Sequence, residues 1–267
     1  MNNDTKMEIN VIYNKDNLTG IKELPDGCID MVMTSPPYDN LRTYKGFSWD
    51  FENLAKELYR VLKDGGIIAW VVADATINGS ETGTSFRQAL FFKDIGFNLH
   101  DTMIWDKSYS QNIGAQNRYR NTFEYIFIFS KGTPKTANLI KDVKNKWAGV
   151  VIHGTTRQID GSTTPVNTAG QIISEYGVRS NVWRIGACNS ATERTGHPAQ
   201  YPEKLCEDLI KTWSNPDDLI LDPFMGSGTT AVACLHLDRN YIGYEISEEY
   251  IRLAEDRIDR NKCHLWQ

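Results

Sequence analysis

The feature that most constrains this 267-residue chain is a segment near its end. There a β-rich run, Leu219 to Leu221, ends in Asp222 and opens into Pro223-Phe224-Met225-Gly226-Ser227-Gly228 before a helical run from Thr229 to Leu237. A second β-rich run, Tyr241 to Tyr244, ends in another acid, Glu245, 23 residues after Asp222. Strand, acid, glycine loop, helix, strand and acid in that order point to a parallel β-α-β unit, with the backbone N–H groups of the loop gathered at a helix start. The loop lacks the lysine of a P-loop and does not keep the spacing of the dinucleotide fingerprint. An acid closing the next strand suits ribose hydroxyls, so a nucleoside ligand without phosphates fits the pattern.

The rest of the chain agrees with an α/β fold. Glu8 to Tyr13, Ile29 to Thr34 and Ile67 to Ala73 read as strands. Phe51, Leu54, Ala55, Leu58, Val61 and Leu62 share a helical face that stops at Lys63-Asp64-Gly65-Gly66. A second helix around Phe86 to Ile95 leads to Asn98–Trp105 and Phe123–Phe129, expected to pair as an antiparallel unit at the sheet edge. From Lys131 to about Asn181 the periodicity fades into Thr, Gly, Asn, Lys and Ser, the pattern of an insertion with little core of its own. Helical periodicity returns at Pro202, and Glu248 to Ile258 forms a last helix whose Glu248, Glu249, Arg252, Glu255 and Asp256 suit a solvated face.

Charge matters because the mean conceals an asymmetry. The net charge of −5 argues against a nucleic-acid partner. Yet Lys131, Lys135, Lys141, Lys144, Lys146, Arg157, Arg179 and Arg184 face only Asp142, Asp160 and Glu175 between positions 131 and 184. A basic face for a polyanion and a merely solvated surface both account for this. The longest apolar run, Ile67 to Ala73, is far too short to span a bilayer, and the first ten residues are polar. Five cysteines without metal-ligand or disulfide spacing fit a reducing cytoplasm.

A second motif, Met33-Thr34-Ser35-Pro36-Pro37-Tyr38, also lies where a strand gives way to a loop. Two prolines stiffen the turn and remove two backbone donors, leaving the Ser35 hydroxyl and the Pro36 carbonyl as acceptors beside the Tyr38 ring. That arrangement suits a planar base with an exocyclic amine, although a proline turn that simply ends a strand has the same sequence.

Taken together, the two motifs resemble the amino-methylating DNA methyltransferases that use S-adenosylmethionine, with their (D/N/S)-P-P-(Y/F/W) turn and F-x-G-x-G loop. Ser35-Pro36-Pro37-Tyr38 and Phe224-Met225-Gly226-Ser227-Gly228 match these, and the turn precedes the loop as in the β group. Asp16 with Leu24-Pro25-Asp26-Gly27, and His197-Pro198-Ala199-Gln200-Tyr201-Pro202, resemble further family segments. The resemblance implies a Rossmann-like class I methyltransferase sheet, mostly parallel with one antiparallel edge strand. It divides the chain into a catalytic half (1–130), a target-recognition insertion (131–184) and a cofactor-binding half (185–267). It also implies a site-specific modification enzyme of restriction-modification type that flips its target base out of double-stranded DNA.

By the same resemblance, Ser35, Pro36, Pro37 and Tyr38 are the catalytic candidates. Asp16, Thr34, His197, Pro198, Pro202, Asp222, Pro223, Phe224, Gly226, Ser227, Gly228, Thr229 and Glu245 are the cofactor-binding ones. Arg118, Arg120, Lys141, Lys144, Lys146 and Arg157 are candidate DNA contacts, and no metal is expected. Serine at the head of the turn favours N4 of cytosine over N6 of adenine. Ring-carbon methylation is excluded because it needs a Pro-Cys pair, and no cysteine here follows a proline. RNA or small-molecule methylation and a non-catalytic DNA- or partner-binding subunit stay open. The resembled group includes homodimers, and both solitary enzymes and enzymes with a companion restriction endonuclease. Trp49, Trp70, Trp105 and Trp213 read as core or boundary aromatics rather than base stackers.

Overall fold

A computed structural model of the chain describes residues 7–37, 39, 49–108, 117–187 and 200–264. It divides into two compact units. One comprises residues up to Asn138 and from Asn181 onward, and the other is Leu139–Ser180.

The larger unit runs β1 (Val11–Asn14), α1 (Asn17–Ile21), β2 (Ile29–Thr34), α2 (Phe51–Val61), β3 (Leu62–Val72), then a small hairpin of β4 (Thr76–Ile77) and β5 (Ser80–Glu81). It continues through α3 (Thr84–Asp94), β6 (Asn98–Asp106) and β7 (Phe123–Ser130). The smaller unit holds β8 (Lys141–Lys144), β9 (Thr155–Arg157), β10 (Thr163–Pro165) and β11 (Tyr176–Val178). The chain then returns through β12 (Val182–Arg184), α4 (Glu203–Trp213), β13 (Leu219–Asp222), α5 (Thr229–His236), β14 (Asn240–Glu245) and α6 (Glu248–His264).

Among the described residues, eight strands form one sheet in the order β1-β14-β13-β2-β3-β7-β6-β12. All neighbouring pairs are parallel except those that β7 makes with β3 and β6. This is the mostly parallel sheet that the resemblance implies. Its antiparallel strand lies toward one edge, with β6 and the three-residue β12 outside it.

Alternation along the strands builds two cores. Ile68, Trp70 and Val72 of β3, Leu219 and Leu221 of β13, and Ile242 and Tyr244 of β14 pack with Leu54, Leu58 and Phe92 of α2 and α3. The buried Leu205, Leu209 and Ile210 of α4 and Ala231 and Val232 of α5 belong to the opposite layer. Fully burying a Val, Leu, Ile or Phe side chain among these contributes roughly 1.5–3 kcal/mol. Among the described residues, no helix is long and apolar enough to cross a membrane.

Three differences from the sequence reading have local causes. α2 stops at Val61 and the chain enters β3 at once. The Gly65-Gly66 pair forms a bulge inside that strand, where pairing jumps from Ile29↔Leu62 to Met31↔Ile67. Gly65 sits at φ +80°, and a Cβ on Gly66 would come within 2.8 Å of the Asp30 carbonyl oxygen. α1, a five-residue helix, has too little apolar periodicity to be visible in sequence; Asp16 caps it, accepting from Thr19 N at 2.9 Å. The insertion, read as 131–184, is narrower as a compact unit. Lys131, Lys135 and Asn138 are held to the larger unit by backbone bonds from their N–H groups to Gly66, Gly65 and Thr212, and Val182–Arg184 pairs with β6.

Candidate active site

The carboxyl ends of β1, β2, β13 and β14 converge on one cleft, where open α/β sheets bind ligands. Ser35 and Pro37 form part of its wall, with Pro36 buried behind them. Pro223, Phe224, Gly226, Ser227 and Thr229 supply the glycine loop, and Asp16 and Glu245 the acids. The motifs, nearly two hundred residues apart in sequence, thus share one cavity. Tyr38, His197 and Pro198, also expected here, lie outside the described residues.

Glu245 stands at the end of β14 and closes the loop against the sheet. Its Oε2 accepts from Gly226 N at 3.0 Å and its Oε1 from Ser247 N at 2.8 Å. Burial pushes its carboxyl above the usual range, against the pull of those two N–H groups. A carboxylate has about four acceptor sites, so two N–H bonds leave acceptor capacity for a diol. Phe224 meets Trp49 edge-on, with ring centroids 5.0 Å apart, and both face the cleft. Trp49 is therefore a cleft-wall residue as well as a boundary aromatic.

Not every expected cofactor residue reaches the cleft. Asp222 is buried beneath it and accepts from Thr34 Oγ1 at 2.7 Å, Thr230 Oγ1 at 2.6 Å and Phe224 N at 2.9 Å. Tyr201, which does line the cleft, shares a 2.7 Å hydrogen bond with Thr230 Oγ1. Burial pushes the Asp222 carboxyl up to about 6 despite these bonds. Thr34 is wholly buried in this network, Pro202 precedes α4 as its cap, and Gly228 caps α5 at φ +80°. A Cβ on Gly228 would meet the Ala254 Cβ at 2.8 Å, so the glycine lets α6 approach the loop. Thr34, Asp222, Pro202 and Gly228 thus support the cleft without lining it.

A residue absent from the sequence reading holds the loop from behind. Arg257 of α6 is 6 % exposed and donates through Nη1 to the Ser227 carbonyl at 2.6 Å and to the Ser227 and Thr229 hydroxyls at 3.2 Å. Its Nη2 pairs with Glu203 at the start of α4. One guanidinium therefore ties together two walls, the glycine loop and the α4 entry that follows Gln200 and Tyr201. The signal was its position beside Ala254 and Ile258 on the buried stripe of α6.

The candidate DNA contacts fall into two groups. Arg118 and Arg120 border a separate recess with Asp74, Glu81 and Tyr125, where Arg118 donates to the Gly79 carbonyl and lies 4.0 Å from Glu81. Arg118 is thus engaged by the β4–β5 hairpin. Lys141, Lys144, Lys146 and Arg157 all lie exposed on the smaller unit.

Comparison with known proteins agrees with this geometry. Residues 29–256 match the family described as DNA methylase, grouped as N6 and N4 methyltransferases. The chain is 52 % identical over 243 residues to the orphan methyltransferase M.BamHII of Bacillus amyloliquefaciens, covering 89 % of this chain and 91 % of that one. Among solved structures, the cytosine-N4-specific PvuII DNA methyltransferase superposes with a TM-score of 0.67 at 22 % identity, over 92 % of this chain and 85 % of that one. M1.HpyAVI in complex with SAM superposes with a TM-score of 0.64 at 24 % identity, over 92 % and 98 %. At such identities the two structures speak for the fold. With a match over most of its length and a close relative of nearly equal extent, the chain belongs to the DNA methylase family and is an enzyme, a DNA methyltransferase.

Proposed function

We propose that this protein transfers the methyl group of S-adenosylmethionine to the N4 amino group of a cytosine flipped out of double-stranded DNA. The observation that carries the reading is the convergence of Ser35 and Pro37 with the glycine loop and Glu245 in one cleft. The donor set fits the cofactor: Glu245 keeps acceptor capacity for ribose hydroxyls, the Trp49–Phe224 corner gives an apolar wall, and the loop from Pro223 to Thr229 is pinned from behind by Arg257. When bound, S-adenosylmethionine supplies an electrophilic methyl group on a sulfonium.

The chain's own residues would then act on the base. An exocyclic amine is a poor nucleophile because its lone pair is delocalised into the ring. Hydrogen bonds from its protons to the Ser35 hydroxyl and the Pro36 carbonyl would favour a tetrahedral nitrogen, and fixing it in line would make the attack effectively intramolecular. The N–C bond would form as the S–C bond breaks, the neutral thioether would leave, and the nitrogen would lose one proton to solvent. Extrusion costs roughly a few kcal/mol, which stacking on Tyr38 helps to offset. Serine at the head of the turn supports cytosine as the target, and Leu139–Ser180 is the unit we assign to target recognition, with Lys141, Lys144, Lys146 and Arg157 meeting phosphates.

The test is mass spectrometry of nucleosides from DNA incubated with the protein and methyl-labelled S-adenosylmethionine, beside a Ser35→Ala, Tyr38→Ala double variant. Labelled N4-methylcytosine that disappears in the variant is expected. Labelled N6-methyladenine would overturn the choice of base, and cofactor binding without any labelled nucleoside would overturn the reaction.

A further inference from the structure

The smaller unit, Leu139–Ser180, is described in full, and not one of its residues is buried. Its order comes from backbone hydrogen bonding, in the β8–β11 and β9–β10 pairs and the Val151↔Ile172 bridge. Among its side chains Trp147 is the largest, and it is 63 % exposed. The indole is presented on a fixed turn. Asn145 N donates to Glu175 O at 2.8 Å, Gly149 N to Ile173 O at 2.9 Å, and Val150 N to Trp147 O at 3.1 Å. Asn145 Nδ2 adds a bond to Ser174 O at 2.9 Å. Turn and neighbouring segment are thus stitched together on both sides of an outward-facing ring.

One lysine lies against that ring, in a unit that carries five basic residues and three acids. Lys146 Nζ lies 5.3 Å from the Trp147 ring centroid, Lys144 and Lys141 precede on the exposed β8, and the acid within that strand, Asp142, is neutralised by Arg179. A large aromatic on a preordered, water-facing turn lowers the entropy lost on binding, and the lysine beside it, in a unit of net positive charge, matches a polyanion better than an apolar protein surface.

We infer that Trp147 contacts DNA directly, inserting its indole against the bases while Lys144 and Lys146 hold the flanking phosphates. The inference rests on the reading of Leu139–Ser180 as the recognition unit and adds to it a contact that is independent of charge. Stacking of this kind is sequence-tolerant and insensitive to salt, whereas each phosphate contact releases counterions.

The experiment is fluorescence anisotropy of the full chain on a labelled duplex taken from DNA that the wild-type protein methylates, across a salt series. Trp147→Ala is expected to weaken binding about 10- to 100-fold at every salt concentration with the wild-type slope retained, and Trp147→Phe to recover most of the loss. Lys146→Ala is expected instead to make the slope of log affinity against log salt shallower by about one. Binding by Trp147→Ala within about twofold of wild type overturns the inference, and a shift in sedimentation of that variant alone would reassign the ring to a protein interface. A loss in Trp147→Ala that merely reproduces the slope change of Lys146→Ala also overturns it, because the ring would then act only by placing the lysine. The broader reading fails separately, if the wild-type protein itself methylates no DNA. An unchanged circular dichroism spectrum and melting temperature, expected where no side chain is buried, keep these outcomes interpretable.

Discussion

The floor of the candidate cleft and the unit Leu139–Ser180 are opposite solutions to holding polar chemistry in place. Beneath the cleft, Asp222, Thr34, Thr230 and Arg257 are all buried, and each is hydrogen-bonded to a partner distant in sequence. In Leu139–Ser180 no side chain is buried, and the polar groups lie on the surface. Methyl transfer needs reacting atoms held to a fraction of an ångström, which only packed and fully paired groups provide. The role proposed for Leu139–Ser180, meeting a DNA surface, would need groups that stay solvated until the partner arrives, and a unit without a core supplies them. The difference teaches that order is reached in two ways: by buried, paired side chains under the cleft, and by backbone pairing alone in Leu139–Ser180.

Breaking the buried side of this contrast should have the largest effect. Arg257→Met leaves the Glu203 carboxylate without its partner and the loop without its anchor, and should cost about 3 kcal/mol of stability together with most of the cofactor affinity. Urea unfolding and calorimetric titration with S-adenosylmethionine would measure both; Arg257→Lys should recover stability better than affinity, because a single ammonium cannot hold the loop and Glu203 in the same fork geometry.

The exposed side should fail the other way. Replacing residues 139–180 by a short Gly-Ser linker should abolish DNA binding while changing cofactor affinity less than about twofold, since no buried group is lost. A collapse of cofactor binding in that variant would dissolve the distinction between the regions.

A smaller effect is expected at Gly228. Gly228→Ala places a side chain at φ +80° and 2.8 Å from Ala254 Cβ, and should destabilise by about 1–3 kcal/mol in thermal or urea melts. A last effect appears only as pH changes, and only on the buried side. Burial raises the Asp222 carboxyl from 3.8 to about 6, so the folded state binds this proton more tightly than the unfolded chain does. The resulting stabilisation is complete below about pH 4, is lost as pH rises through about 6, and is flat above that. Stability differences between wild type and Asp222→Asn should therefore vary by less than one proton's worth per pH unit across that window and be constant above it.

Much of the cleft's framework was legible because its motifs are local. Leu219 to Gly228 carries strand, acid and loop within ten residues, and Ser35-Pro36-Pro37 needs only its own prolines to stiffen. Glu245 was legible from its spacing alone. Trp49 at the cleft wall and Lys15, Tyr244 and Tyr250 around it were not, because their places depend on which strands lie side by side. Arg257 was hidden among the charged residues of α6, although its neighbours Ala254 and Ile258 mark the buried face. The bulge at Gly65-Gly66 read as a helix stop, since glycine serves either purpose and only the pairing of β3 with β2 and β7 decides.

The sequence by itself determined the chemistry on offer: a stiff acceptor turn, a glycine loop, paired acids at strand ends and a basic insertion. Tertiary structure decided which of these line the cleft and which stand behind it. Asp222 and Thr34, 188 residues apart, became partners under the cleft, and Arg257 became the link between loop and α4. The reason is physical. Turn stiffness and periodicity are set by a residue and its near neighbours, whereas burial and partner choice follow from strand order and helix packing across the whole chain.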